Sequence, residues 1–357
     1  MTSPFPAQAP TQTPTRELLR IDELEIAFAE RGTLTNRPVR GISLTVAPRE
    51  VVGIVGETGC GKSLTGLAVL GLLPRAAVPS GRVLLDGVEQ PLDGRGSARG
   101  DAISIVFQNP GTAFNPVFTL GRQMRDVVAR HQRVDGRRLG RAEANAHILH
   151  YLEQVGLPDP ERIARSYPHE LSGGMLQRAM IAMALVCEPK LLILDEPTTA
   201  LDVTIAKQIL ELILSLRDRF GFGVLLITHN LGVVREVCDR IAVLYAGRVV
   251  ETGPTAAVLA APAHPYTRGL LGALPARHRP GQPLEAIRGS VPGNLLGLEG
   301  CSFRDRCPVA VAGCATIDPG LEPVAPLHEA ACILAGEAGD PGEAGTADRT
   351  ASNGGRP

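Results

Sequence analysis

The chain has 357 residues, a formal net charge of −1 from 36 basic and 37 acidic side chains, and no basic stripe, so a nucleic-acid partner is not suggested. Its longest apolar runs, such as MIAMALVC at 180–187, fall well short of the roughly 20 residues that a membrane-spanning helix needs. The length suits one large or two modest domains.

Residues 1–17, rich in Pro and Thr, read as a disordered tail without a signal peptide, and 335–357, poor in apolar side chains, read the same way. A cytosolic chain is therefore expected, in which structural disulfides are rare. The first strong motif is VVGIVGETGCGKSLTG at 51–66. VVGIV has the apolar, β-branched character of a buried parallel strand, and KSLTGLAVLGLL has helical apolar spacing. Between them Gly56, Gly59, Gly61, Lys62 and Ser63 satisfy the G-x-x-x-x-G-K-[ST] phosphate loop. Only three basic residues are lysines, Lys62, Lys190 and Lys207, against a background of arginine. A compact ammonium fits a tight loop that a planar guanidinium would not. The amides from Gly56 through Glu57, Thr58, Cys60 and Lys62 to Leu64 are expected to cradle ATP phosphates, with the Ser63 hydroxyl on Mg²⁺. Cys60 sits at a variable position and is assigned no chemistry.

Further along, IVFQNP carries Gln108, which alone would read as a solvated loop amide. In HELSGGMLQR, Ser172, Gly173 and Gly174 open an amphipathic helix and offer a second anion site at its N-terminus. PKLLILDEPTTALD gives a buried strand ending in Asp195, placed to hold Mg²⁺, and Glu196, placed as a general base. The strand in GVLLITHN ends at His229, whose imidazole can bridge a γ-phosphate oxygen and a carboxylate. DRIAVLYAGRVVETG then reads as a hairpin turning at Ala246-Gly247.

Seven cysteines remain. Cys60, Cys187 and Cys238 are scattered, while Cys301, Cys307, Cys314 and Cys332 cluster with spacing C-x5-C-x6-C-x17-C. Four thiols in a weakly apolar segment suggest a small metal-tied domain. Tetrahedral zinc, an iron–sulfur cluster and unligated thiols all stay open, because the spacing is neither a zinc ribbon nor a ferredoxin run. His328 reads as a surface residue, with ligation as the alternative.

LSGGMLQR, together with the phosphate loop and LLILDEP, resembles the signature of ATP-binding-cassette ATPases. The resemblance implies an α/β P-loop NTPase fold: a RecA-like core, an antiparallel β subdomain, a helical subdomain at about 110–175 and a small Cys-containing C-terminal extension. The cassette would span 18–262 and the extension 263–334. By the same resemblance Gln108 is the glutamine loop sensing Mg²⁺ and γ-phosphate, Mg²⁺ is held by Ser63, Gln108 and Asp195, and Asp202 lies on the loop crossing a dimer interface. His229 is the switch histidine and acts with Glu196 in catalysis. Ser172, Gly173, Gly174 and Gln177 contact ATP on a partner cassette. Phe28, in IAFAERG, is a candidate adenine-stacking ring, with a core aromatic as the alternative. Leu176 departs from the arginine that close relatives carry, which touches only a peripheral salt bridge.

APAHPYTRGLLGALP resembles the His-Pro-Tyr segment that opens the extension in oligopeptide, dipeptide and nickel importer ATPases. The resemblance implies a 4Fe–4S cluster on the four clustered cysteines. It also implies a second ATPase subunit, a homologue in preference to a second copy, two transmembrane permease subunits and, indirectly, an extracytoplasmic binding protein. The expected work is ATP hydrolysis driving peptide import from the cytoplasmic face of the membrane. An importer of nickel or another small solute, a soluble cassette ATPase and a non-catalytic subunit are the competing expectations.

Overall fold

All five residues of Val51–Val55 are buried, as a short β-branched run between two covering layers should be. In the computed structural model, which describes residues 16–95, 98–131, 133–134, 137–199, 201–274 and 287–335, this strand lies inside an eight-stranded sheet. The order is Glu322–Ala325, His328–Ala330, Arg248–Pro254, Arg240–Tyr245, Val51–Val55, Gly223–Thr228, Leu191–Asp195 and Ile103–Val106. The last five run parallel, and the first three extend one edge antiparallel.

Side chains alternate between the sheet's faces with period two. Val51, Val55, Leu192, Leu194, Val224 and Leu226 enter one core, whereas Val52, Ile54, Leu191, Ile193, Leu225 and Ile227 enter the other. The second core is closed by an antiparallel sheet of Thr33–Val46, Leu19–Glu30, Ala77–Leu85 and Val88–Glu89. Its first two strands meet at Arg31-Gly32, both at positive φ (51° and 83°), the two-residue turn that suits twisted hairpins. The first core holds the helices Leu120–His131, Arg141–Gln154, Pro160–Arg165 and Gly173–Leu185, packed on one another between Gln108 and the 191–195 strand. This is the helical region expected from the sequence.

The Ala246-Gly247 hairpin forms as read, with Arg240–Tyr245 against Arg248–Pro254. The C-terminal extension is less separate than its weak hydropathy suggested. Tyr266, Leu271, Leu295 and Phe303 belong to the same buried cluster as the cassette, and Phe303 packs on Tyr245 and Tyr266 with ring centroids 5.0 and 5.3 Å apart. His328 is not the surface residue expected: it is buried, and its Nε2 lies 2.7 Å from Glu251 Oε1. The tail readings for 1–15 and 336–357 fall outside the described residues. Among the described residues no helix is long and apolar enough to cross a membrane.

Candidate nucleotide site

The loop after Val51–Val55 turns into the helix Lys62–Val69 through Gly61, at φ 100°. A Cβ there would sit 2.6 Å from the Pro38 carbonyl oxygen, so both the conformation and the space demand glycine. Lys62 is buried, and its Nζ donates to the Gly56 and Glu57 carbonyls at 2.8 and 2.9 Å. The ammonium therefore sits inside the curl of the loop, as its small size allows. Ser63 Oγ donates to Asp195 Oδ1 at 3.1 Å, joining the loop to the end of the 191–195 strand. Burial pushes the Asp195 carboxyl above its usual range, against the opposing bond from Ser63.

Glu196 follows with φ 49°, a left-handed conformation rare for a residue with a side chain, and this strain turns its carboxyl into the cleft. Its Oε2 accepts from Gln108 Nε2 at 3.1 Å and Thr199 Oγ1 at 2.9 Å, and His229 Nδ1 lies 2.9 Å from Oε1. Burial would raise this carboxyl, yet the bonds from His229 and Thr199 outweigh it and hold Glu196 below the usual carboxylate range. It is thus an anion at neutral pH, and the Nδ1 facing it is the protonated nitrogen of the imidazole. Thr58, Gly59, Gly61, Lys62, Ser63, Leu64, Gln108, Glu196, Thr199 and His229 together line one open cleft of about 440 Å³.

Other sequence-derived candidates lie elsewhere. Phe28 is half-buried in the antiparallel sheet and does not line this cleft. Ser172 caps Gly173–Leu185, its Oγ accepting from Met175 N–H at 3.4 Å, and Ser172 and Gly173 are exposed. Gln177 instead points inward, 1 % exposed with Nε2 lacking a protein partner, so its side chain is not on the surface that Ser172 and Gly173 present. Leu176 is also buried, which suits an apolar residue at that position. Asp202 caps Val203–Phe220 by accepting from Ile205 N–H, and Val203 beside it is 87 % exposed. The side chain of Ile205 lies against Gly174, so the Asp202 loop and the Ser-Gly-Gly turn are neighbours.

The four clustered cysteines do converge. Cys301, Cys307, Cys314 and Cys332 line one small apolar pocket with His264, Phe303 and Pro319. Among the described residues no three or more His, Cys, Asp or Glu form a group that could hold a metal ion, so the thiols share a pocket without making a coordination sphere. Burial chiefly, with the neighbouring thiols adding, raises Cys301, Cys307 and Cys332, and any ligand to them must displace protons.

Three residues beside the nucleotide motifs were missed in the sequence. Thr199 bonds Glu196; Tyr266 Oη accepts from Glu57 N–H at 2.9 Å; Arg306 grips the Glu57 carboxyl through both Nη atoms. Thr199 was within reach of motif reasoning, since it follows Glu196 in PTT. The other two come from 209 and 249 residues away.

Residues 39–199 match the family model described as ABC transporter, and residues 250–314 match the model described as oligopeptide/dipeptide transporter, C-terminal region. The chain is 47 % identical over 329 residues to a probable peptide ABC transporter ATP-binding protein of Sinorhizobium fredii, covering 90 % of this chain and 96 % of that one. It is 42 % identical to the dipeptide transport ATP-binding protein DppD of Bacillus subtilis, covering 89 % and 95 %. Among solved structures it is similar to the ATP-binding cassette MJ0796, a dimer in a post-hydrolysis state bound to ADP and Pi. The TM-score is 0.57 at 27 % identity, covering 66 % of this chain and 98 % of that one.

Proposed function

Since this chain belongs to the ATP-binding-cassette transporter ATPases and carries the oligopeptide/dipeptide C-terminal region, we propose that it is the ATP-hydrolysing subunit of a peptide importer. The observation that carries the reading is the convergence of Lys62, Ser63–Asp195, Gln108, Glu196 and His229 on one cleft, with the Ser-Gly-Gly turn exposed on a separate surface. Lys62 and the loop amides would hold the β- and γ-phosphates. Ser63, Gln108 and Asp195 would hold Mg²⁺, which when bound neutralises phosphate charge. Glu196 accepts the proton of the attacking water. One of its oxygens accepts from both Gln108 and Thr199, so a lone pair is freed for that water when Gln108 turns away. His229, held by Glu196 through Nδ1, would turn Nε2 toward the γ-phosphate.

A second cassette, a homologue by preference, would cover the nucleotide with its own signature turn, and two permease subunits would receive the motion at the cytoplasmic face of the membrane. A binding protein outside would deliver the peptide. Cys301, Cys307, Cys314 and Cys332 share one pocket, and a 4Fe–4S cluster of structural role would take all four as thiolate ligands once they lose their protons and close into a coordination sphere. Anaerobic purification with iron, sulfide and zinc quantified tests that point; zinc, or neither metal, would overturn it.

Glu196→Gln tests the function itself. The variant should bind ATP with near-normal affinity, lose steady-state turnover and accumulate the closed dimer. In cells it should abolish uptake of labelled di- and oligopeptides. Retained hydrolysis would remove Glu196 as the base, and intact peptide uptake with lost accumulation of nickel or another solute would reassign the cargo.

A further inference from the structure

The phosphate loop is tied to the C-terminal extension at one residue. Glu57, the first residue after Gly56, donates its backbone N–H to Tyr266 Oη at 2.9 Å. Its carboxyl receives Arg306 Nη1 and Nη2 at 2.9 and 3.0 Å, a bidentate fork. Arg306 is itself immobilised: Nε donates to the Arg288 carbonyl at 2.8 Å, Nη2 to the Gly289 carbonyl at 3.3 Å, and the guanidinium lies 5.6 Å from the Tyr245 ring centroid. Its side chain is only 7 % exposed. A long, flexible side chain held this completely can act as a fixed strut.

Glu57 has two attributes that matter to a bound nucleotide. Its carbonyl is one of the two that hold Lys62 Nζ, so the position of its backbone sets the position of the ammonium. Its carboxyl is an anion placed in a loop that must receive a polyanionic phosphate chain, and without a counter-charge it would repel that ligand. The same extension also braces the approach to the loop, where Asn36 Oδ1 accepts from Leu295 N–H at 2.9 Å and Arg40 Nη1 donates to Ser302 Oγ at 2.7 Å.

We propose that Arg306 and Tyr266 are positioning residues for ATP binding: they anchor Glu57 and neutralise its carboxyl, so that Lys62 and the loop amides face the phosphates. The C-terminal extension thereby completes the nucleotide site of its own chain. This rests on the cleft being an ATP site. It assigns a role in nucleotide affinity to a segment otherwise distinguished by its cysteines, and Arg306 immediately precedes Cys307.

The test is calorimetric binding of Mg-ATP to the full-length chain as wild type, Arg306→Gln, Glu57→Gln and the double variant. Loss of the counter-charge in Arg306→Gln should raise Kd by roughly tenfold. The double variant, in which no carboxyl remains to be neutralised, should recover to within about threefold of wild type, since the coupling between two touching residues is what such a cycle measures. An unchanged Kd in Arg306→Gln overturns the proposal. So does a double variant as weak as Arg306→Gln, because a merely structural strut would not be rescued by changing Glu57. If Arg306→Gln does not fold, Arg306→Lys, which keeps the charge but loses the fork, and Tyr266→Phe, which loses the acceptor, take its place. Each should weaken binding by about threefold, and normal affinity in both overturns the proposal. Failure of the wild-type chain to bind Mg-ATP would instead overturn the assignment of the cleft.

Discussion

Lys62 shows how much a single residue type can say. It is one of three lysines in an arginine-rich chain, and its Nζ sits buried within 2.9 Å of two loop carbonyls, where a guanidinium has no room. Lys62→Arg should therefore impair ATP binding about as severely as Lys62→Ala, and near-normal affinity in the arginine variant, read by nucleotide titration, would contradict the size argument. Cys60, two residues earlier, looks reactive by its neighbour, since Lys62 Nζ is 3.8 Å from its Sγ and favours a thiolate. Burial wins nonetheless and raises it, and burial likewise pushes Cys187 up to about 12 and Cys238 higher still. These three thiols should stay silent to a thiol reagent at neutral pH in the native protein and react only after denaturation. Modification of any of them without unfolding would show that the cassette core opens readily. Glu196 and His229 were legible because strand ends beside a phosphate loop leave few options. Arg306 and Tyr266 were not, because their function exists only through a neighbour more than 200 residues distant.

Short apolar runs were legible as well: the parallel strands Val51–Val55, Leu191–Asp195 and Gly223–Thr228 are continuous runs of this kind, and the folded sheet buries both their faces. The edge of the sheet was not. Glu322–Ala325 and His328–Ala330 are short, contain a proline and have no alternation, and they pair onto Arg248–Pro254 through a side chain that no pattern exposes. Glu251, in that strand, is completely buried; its oxygens accept from Ala263 N–H at 2.6 Å and His264 N–H at 3.0 Å, and Oε1 lies 2.7 Å from His328 Nε2. One carboxyl thus joins the cassette strand, the start of the His-Pro-Tyr segment and the terminal hairpin. Glu251→Ala would leave the His264 N–H and the His328 ring buried without their acceptor and the half-buried Ala263 N–H without its own, and at about 1–3 kcal/mol for each buried donor left unsatisfied should destabilise the protein by several kcal/mol. Urea unfolding checks this. A loss below about 1 kcal/mol, as for an exposed pair, would mean that the extension is held by its aromatic packing alone.

At the scale of the whole molecule the two surfaces proposed to bind anions do not meet. The nucleotide cleft is lined by the phosphate loop, Gln108, Glu196, Thr199 and His229, whereas Ser172 and Gly173 are exposed at the N-terminus of another helix, beside the loop that Asp202 caps. Exposed amides at a helix start attract an anion. If the anion is the γ-phosphate on a second cassette, the two surfaces contribute to different steps: the cleft to binding, the Ser-Gly-Gly turn to closure. Ser172→Arg separates the two. A bulky side chain there would obstruct closure, while loss of the cap costs about 1 kcal/mol of helix stability without touching the cleft. ATP affinity of the isolated chain should therefore stay within about twofold of wild type, with hydrolysis lost even when the partner cassette is present. Lys62→Ala should do the reverse and lose binding first. An equal loss of ATP affinity in both variants would place the signature turn on the chain's own nucleotide and remove the need for a second cassette.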